Sequence, residues 1–121
     1  MRPIVTLSLV FSVLAAPLLA QTWEPREGDQ SLAAAALDLR LRGKIIEFYD
    51  GGQAEYYADG RYKYTYSGEG GTGYGYYEVT GDSTICIEFV NGFNRCDTYI
   101  TDAQDRLVVI TEKGDRFPVR N

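Results

Sequence analysis

The chain has 121 residues with seventeen acids, twelve bases and no histidine, for a formal net charge of −5 at pH 7. Acidity without a basic cluster argues against nucleic acid, whose phosphates need concentrated Lys and Arg, and against an anionic membrane face. The missing histidine excludes imidazole triads, His-bearing zinc sites and general-base catalysis by imidazole near neutral pH.

Arg2 and the amino terminus form a short positive flank, and residues 4–14 form an apolar run broken only by Thr6, Ser8 and Ser12. Ala15, Ala16 and Ala20 are small. This is the layout of a secretory signal peptide, too short for a stable membrane span. Cleavage is expected after Ala20, although Leu18 is bulky for its place, because a cut after Ala16 would put Pro17 beside the scissile bond. An uncleaved anchor is the competing reading. No cysteine follows the cut, so nothing suggests a lipoprotein. The chain then divides into a leader (1–20), a polar lead-in with a helix (21–42) and a β domain (43–121). Removal of the leader leaves about a hundred residues, one domain's worth.

Residues 31–42 read as the one helix. Ser31 suits the N-cap, four alanines follow, and Arg40 and Arg42 sit at the end that favours positive charge. Gly43 is the expected left-handed residue past the C-terminus. Leu32, Ala36 and Leu39 share one face, with Ala35 beside them. Leu37, Leu39 and Leu41 also alternate with Asp38, Arg40 and Arg42 as a strand would, and helix is favoured through about Arg40.

From Lys44 onward, runs rich in Tyr, Ile, Val, Phe and Thr alternate with Gly, Asp and Asn pairs, the pattern of an antiparallel meander. Strands are expected at 44–49, 53–58, 61–66, 74–80, 84–89, 93–101, 106–111 and 116–120. Turns are expected at Asp50-Gly51, Asp59-Gly60, Gly81-Asp82, Asn91-Gly92 and Gly114-Asp115. The fold class is mainly β. About eight short strands close into a small barrel or a strongly curled sheet, lipocalin-like in the loose sense.

Cys86 and Cys96 are the two cysteines. In an oxidising compartment they read as a disulfide, and their spacing suits neither a redox Cys-x-x-Cys pair nor a zinc set. The bond constrains register. A two-residue loop at Asn91-Gly92 would set Cys86 opposite Asp97 and point the sulfurs to opposite faces. A loop of Val90, Asn91 and Gly92, with Gly92 left-handed, sets Phe89 against Phe93 and Cys86 against Cys96, and that loop, or a longer one keeping the same pairing, is expected.

The run Gly75-Tyr76-Tyr77-Glu78-Val79-Thr80-Gly81-Asp82, followed by the two cysteines, has a marked cadence, as does Phe48-Tyr49-Asp50-Gly51-Gly52 with Tyr57-Ala58-Asp59-Gly60-Arg61. Together they resemble small exported β domains of Gram-negative bacteria that have no assigned function. The resemblance covers 43–121 and implies fold and compartment only. Tyr76 or Tyr77 stands where such strands usually carry tryptophan.

Gly68-Glu69-Gly70-Gly71-Thr72-Gly73 matches the dinucleotide fingerprint in letters, but that fingerprint needs a following helix, and strand text follows here. It reads as a mobile glycine loop between two strands. Turn aspartates lack calcium-loop spacing, and Glu47, Glu55, Glu78 and Glu88 are scattered strand acids without a supporting motif. No metal, cofactor or catalytic residue is expected. Nine of ten tyrosines lie between Tyr49 and Tyr77. Either they form a structural ladder or Tyr62, Tyr64, Tyr66, Tyr74 and Tyr76 form a ligand-binding wall. The expected function is a non-enzymatic exported domain, periplasmic or secreted, that binds a small ligand or a protein partner. The alternative is an inhibitor or immunity-like protein acting through the braced hairpin Asn91, Gly92, Phe93 and Asn94. A purely structural envelope module is the third reading.

Overall fold

The computed structural model describes residues 3–4 and 23–120, so all but Pro3 and Ile4 of the expected leader, and its cleavage point, lie outside the described residues. In chain order the elements are β1 (Gln30–Ser31), α1 (Ala34–Leu41), β2 (Lys44–Glu47), β3 (Gln53–Tyr56), β4 (Arg61–Thr65), β5 (Thr72–Gly81), β6 (Thr84–Phe89), β7 (Asn94–Thr101), β8 (Leu107–Ile110) and β9 (Arg116–Pro118). Strands β2 to β9 form an antiparallel meander, each paired with the next. The sheet curls strongly into a half-barrel. Its first and last strands meet at one corner, through the Phe48–Val119 bridge and the Arg120 N–H donated to the Glu47 carbonyl at 2.8 Å.

The helix begins later than expected. Ser31 is not its N-cap but lies in β1, paired with Ile100 of β7. Ala33 occupies the N-cap, and Asp82 Oδ1 accepts the Ala34 N–H at 3.1 Å in its place. That cap comes from 48 residues away, so no local pattern announces it. The buried face also differs from the expected one. Leu37 and Leu41 are buried, one turn apart, whereas Ala36 is exposed and Leu39 is 77% exposed. A strand would have put Leu37, Leu39 and Leu41 on one side; the helix splits them. Gly43 follows with φ +74°, as expected of the left-handed terminator.

One turn is displaced. Gly81 remains in β5, paired to Thr84 beyond a bulge, and the turn falls on Asp82 and Ser83. Ser83 is left-handed (φ +55°). Three bonds hold it there: its N–H to the Leu32 carbonyl, its Oγ from the Leu32 N–H, and its carbonyl from the Tyr99 N–H. β1 has no counterpart among the expected strands, and the others lie within two residues of their expected limits.

The core fills the concave face. Leu37 and Leu41 pack with Ile46, Tyr56, Tyr77 and Ile85 where the helix covers one end of the curl. β8 is buried on both faces, because Ile100, Val108 and Ile110 form a second cluster on the convex side under Trp23. The lead-in is therefore packed structure rather than a polar tether. Arg116 clamps it with two bonds of 2.8 Å to Asp29 and lies over the Trp23 ring. This Arg116 clamp holds the Asp29 carboxyl below the ordinary carboxylate range.

Gly75 shows why the tyrosine-rich strands tolerate glycine. A Cβ there would meet the Glu88 carbonyl oxygen of β6, too close for any rotamer to relieve. Gly75→Ala is expected to cost roughly 2–3 kcal/mol through forced backbone displacement, read as a lower urea midpoint. An unchanged midpoint would mean that β5 and β6 are not this close.

Candidate functional site

Register decides which side chains share the hollow. Tyr62 pairs with Gly75 and Tyr64 with Gly73, and a Cβ at Gly73 would press on the Phe89 ring beside them. Tyr62 packs edge-on to Phe89, and Tyr64 lies 4.8 Å from Tyr66 and 6.3 Å from Phe48. Tyr56 crosses the interior to Tyr99, hydroxyl to hydroxyl at 2.7 Å, tying β3 to the far wall on β7.

Tyr62, Tyr64 and Tyr66 thus line one cavity of about 260 Å³. Tyr74 and Tyr76 do not join them. They stand opposite Lys63 and Arg61 on the convex face, because alternation sends them outward once Gly73 and Gly75 point in. Tyr76 borders a separate depression of about 400 Å³ beside the disulfide. The expected five-tyrosine wall is divided between the two sides of the sheet.

The register expected from the sulfurs is the one observed. Cys86 pairs directly with Cys96, their Cα atoms 4.0 Å apart, and the two are bonded. Gly92 has φ +88°, and the Phe89 N–H reaches the Phe93 carbonyl at 2.8 Å. With Cys96 turned outward, Arg95 and Asp97 turn inward beside Ile87 and Ile85. The Arg95 Nε donates to Asp97 Oδ2 at 3.1 Å.

Asp97 is the unusual group. Its side chain is 4% exposed, and Oδ1 has no hydrogen-bond partner among the described residues. Burial pushes its carboxyl above the ordinary carboxylate range against the pull of Arg95. Arg95 is also raised: burial disfavours its charge, but Asp97 together with Tyr62 and Tyr56 outweighs that. The two directions are consistent, because the carboxylate sits deeper than the guanidinium. Thr111 Oγ1, also on this wall, is likewise buried without a partner.

Tyr66, Arg95, Thr111 and Phe117 also border a wider mouth of about 650 Å³. Its rim includes Gly70, Thr72 and Gly73 of the glycine loop. Asn91, Phe93 and Asn94 of the braced hairpin complete it, with Gly92 at the tip beside them. The two regions singled out in the sequence therefore meet at one opening. Asp50 lines the cavity too, but its Oδ1 accepts the Gly52 N–H at 2.8 Å and shapes the turn.

Arg95, Asp97, Thr111 and Phe117 escaped the sequence reading. A signal was present: once both sulfurs face outward, alternation sends Arg95 and Asp97 to the side of Ile85 and Ile87, where a charged pair is out of place. Fold and site together define a curled antiparallel half-barrel with an aromatic hollow and an inward ion pair. Compared with protein-family models, curated proteins and solved structures, the chain finds no match.

Proposed function

We propose that the protein is an exported, non-enzymatic binding protein that takes a small ligand into the hollow of its curled sheet. Asp97 carries this reading. A buried carboxylate with one oxygen unclaimed weakens the fold, and such a sacrifice belongs where a ligand completes the set. The cavity beside it is walled by Tyr62, Tyr64 and Tyr66 and opens through a defined mouth. Concave aromatic surface with a few placed polar groups is the usual make-up of small-ligand sites. Export is argued from the leader-like residues 1–20 and the resemblance to exported β domains, and the disulfide is compatible with it.

The exposed Phe93 and Val90 favour the second reading, a partner enzyme engaged by the hairpin tip. Phenol, titrated into the isotope-labelled protein, separates the two. Saturable NMR shifts are expected at the amides of Tyr62, Tyr64, Arg95, Asp97 and Thr111. Shifts confined to Tyr74 and Tyr76 would refute the ligand reading.

A further inference from the structure

Resting on that reading, the geometry points to the ligand class: we infer that the hollow accepts an uncharged single ring bearing neighbouring hydroxyls. Thr98 pairs with Ile110, so the next register position sets Asp97 opposite Thr111 on the same concave face. Directly opposed residues in an antiparallel pair have Cβ atoms on the order of 5 Å apart. Asp97 Oδ1 and Thr111 Oγ1 are both buried and both without a partner among the described residues, so they do not bond each other. Two adjacent hydroxyls of one ligand answer this spacing, one donating to the carboxylate and one exchanging with the threonine.

Charge and size narrow the choice. Arg95 already neutralises Asp97 at 3.1 Å. A cationic ligand would have to compete with the guanidinium, and an anionic one would face the carboxylate, each at a desolvation cost. An uncharged guest disturbs neither. The cavity of about 260 Å³ falls below the roughly 300–1,000 Å³ of pockets for drug-sized ligands, which leaves room for one ring. Tyr64, Tyr66 and Phe117 supply faces for it.

Two sources share this chemistry, an aromatic diol and a sugar, and both enter the test. Catechol and methyl β-D-glucopyranoside carry the diol; phenol carries one hydroxyl; benzylammonium and benzoate carry charge. At least one diol is expected to bind about fivefold tighter than phenol, since its second hydroxyl adds one hydrogen bond to the neutral Thr111, contributing about 1 kcal/mol. The tighter diol identifies the source. Thr111→Val should bring the ratio of diol to phenol affinity close to one. Its fold should survive, because the lost hydroxyl has no partner. Asp97→Asn should weaken diol binding by a similar factor. A diol no tighter than phenol, or a charged probe binding best, would overturn the ligand class and leave the site standing. Cavity amides unmoved by every probe would overturn the site itself.

Discussion

Tyr56→Ala is expected to remove a large part of the protein's stability, about 4–8 kcal/mol. The ring is 1% exposed and lies within 6.4 Å, centroid to centroid, of Tyr62, Tyr77 and Tyr99. Truncating a buried aromatic costs about 3–5 kcal/mol. Stranding the Tyr99 hydroxyl, which holds Tyr56 at 2.7 Å, adds about 1–3 kcal/mol. Domains of this size have only about 5–15 kcal/mol in hand. Tyr56→Phe keeps the packing and strands the hydroxyl alone, so its urea midpoint should fall between those of wild type and Tyr56→Ala. Equal midpoints for Tyr56→Phe and wild type would show that the hydroxyl pair contributes nothing.

The same cluster sets an alkaline limit. Burial pushes Tyr56, Tyr62 and Tyr99 well above the ordinary phenol value of 10.0. Above that pH the unfolded chain releases phenolic protons that the native state retains. Native stability is therefore intact below about pH 10 and falls as pH rises past it. Phenolate absorbance of these three rings should appear together with loss of near-ultraviolet circular dichroism, not before it.

Loss of the Cys86–Cys96 bond is the other large effect. Its two residues are ten apart, and opening so short a loop should cost about 2–3 kcal/mol, chiefly by freeing the unfolded chain. For a domain of about a hundred residues that is a drop of roughly 10–20 °C in Tm. The bond lies on the convex face, so the double variant Cys86→Ser with Cys96→Ser leaves the concave lining in place. Below its Tm it should still bind phenol, with changes concentrated at the rim residues Asn91, Phe93 and Asn94. Identical Tm values for oxidised and reduced protein would refute the brace.

Most of the β architecture was legible because its determinants are local. Strand text alternates in period two, turn residues punctuate it, and a bonded cysteine pair admits one register for β6 and β7. The helix limits were less legible. Asp82 supplies the cap from the β5–β6 turn, and Ser31, a plausible cap by type, is drawn into β1 by pairing with Ile100. A short helix takes its phase from what it packs on, and Leu37 and Leu41 win over Leu39 because the hollow lies on their side.

The candidate site divides the same way. Tyrosine density beside a glycine loop marked the correct strand, β4, but not its partners. Tyr74 and Tyr76 belong to the other face because β4 and β5 pair Tyr62 with Gly75 rather than with a tyrosine. Arg95 and Asp97 of β7, and Thr111 just past β8, are carried to β4 by the curl of the sheet. Composition, alternation and two sulfurs were enough to determine a disulfide-braced antiparallel meander, since each acts between near neighbours in the chain. Which walls face each other across the hollow was decided by the curl alone, because that contact joins strands far apart in sequence.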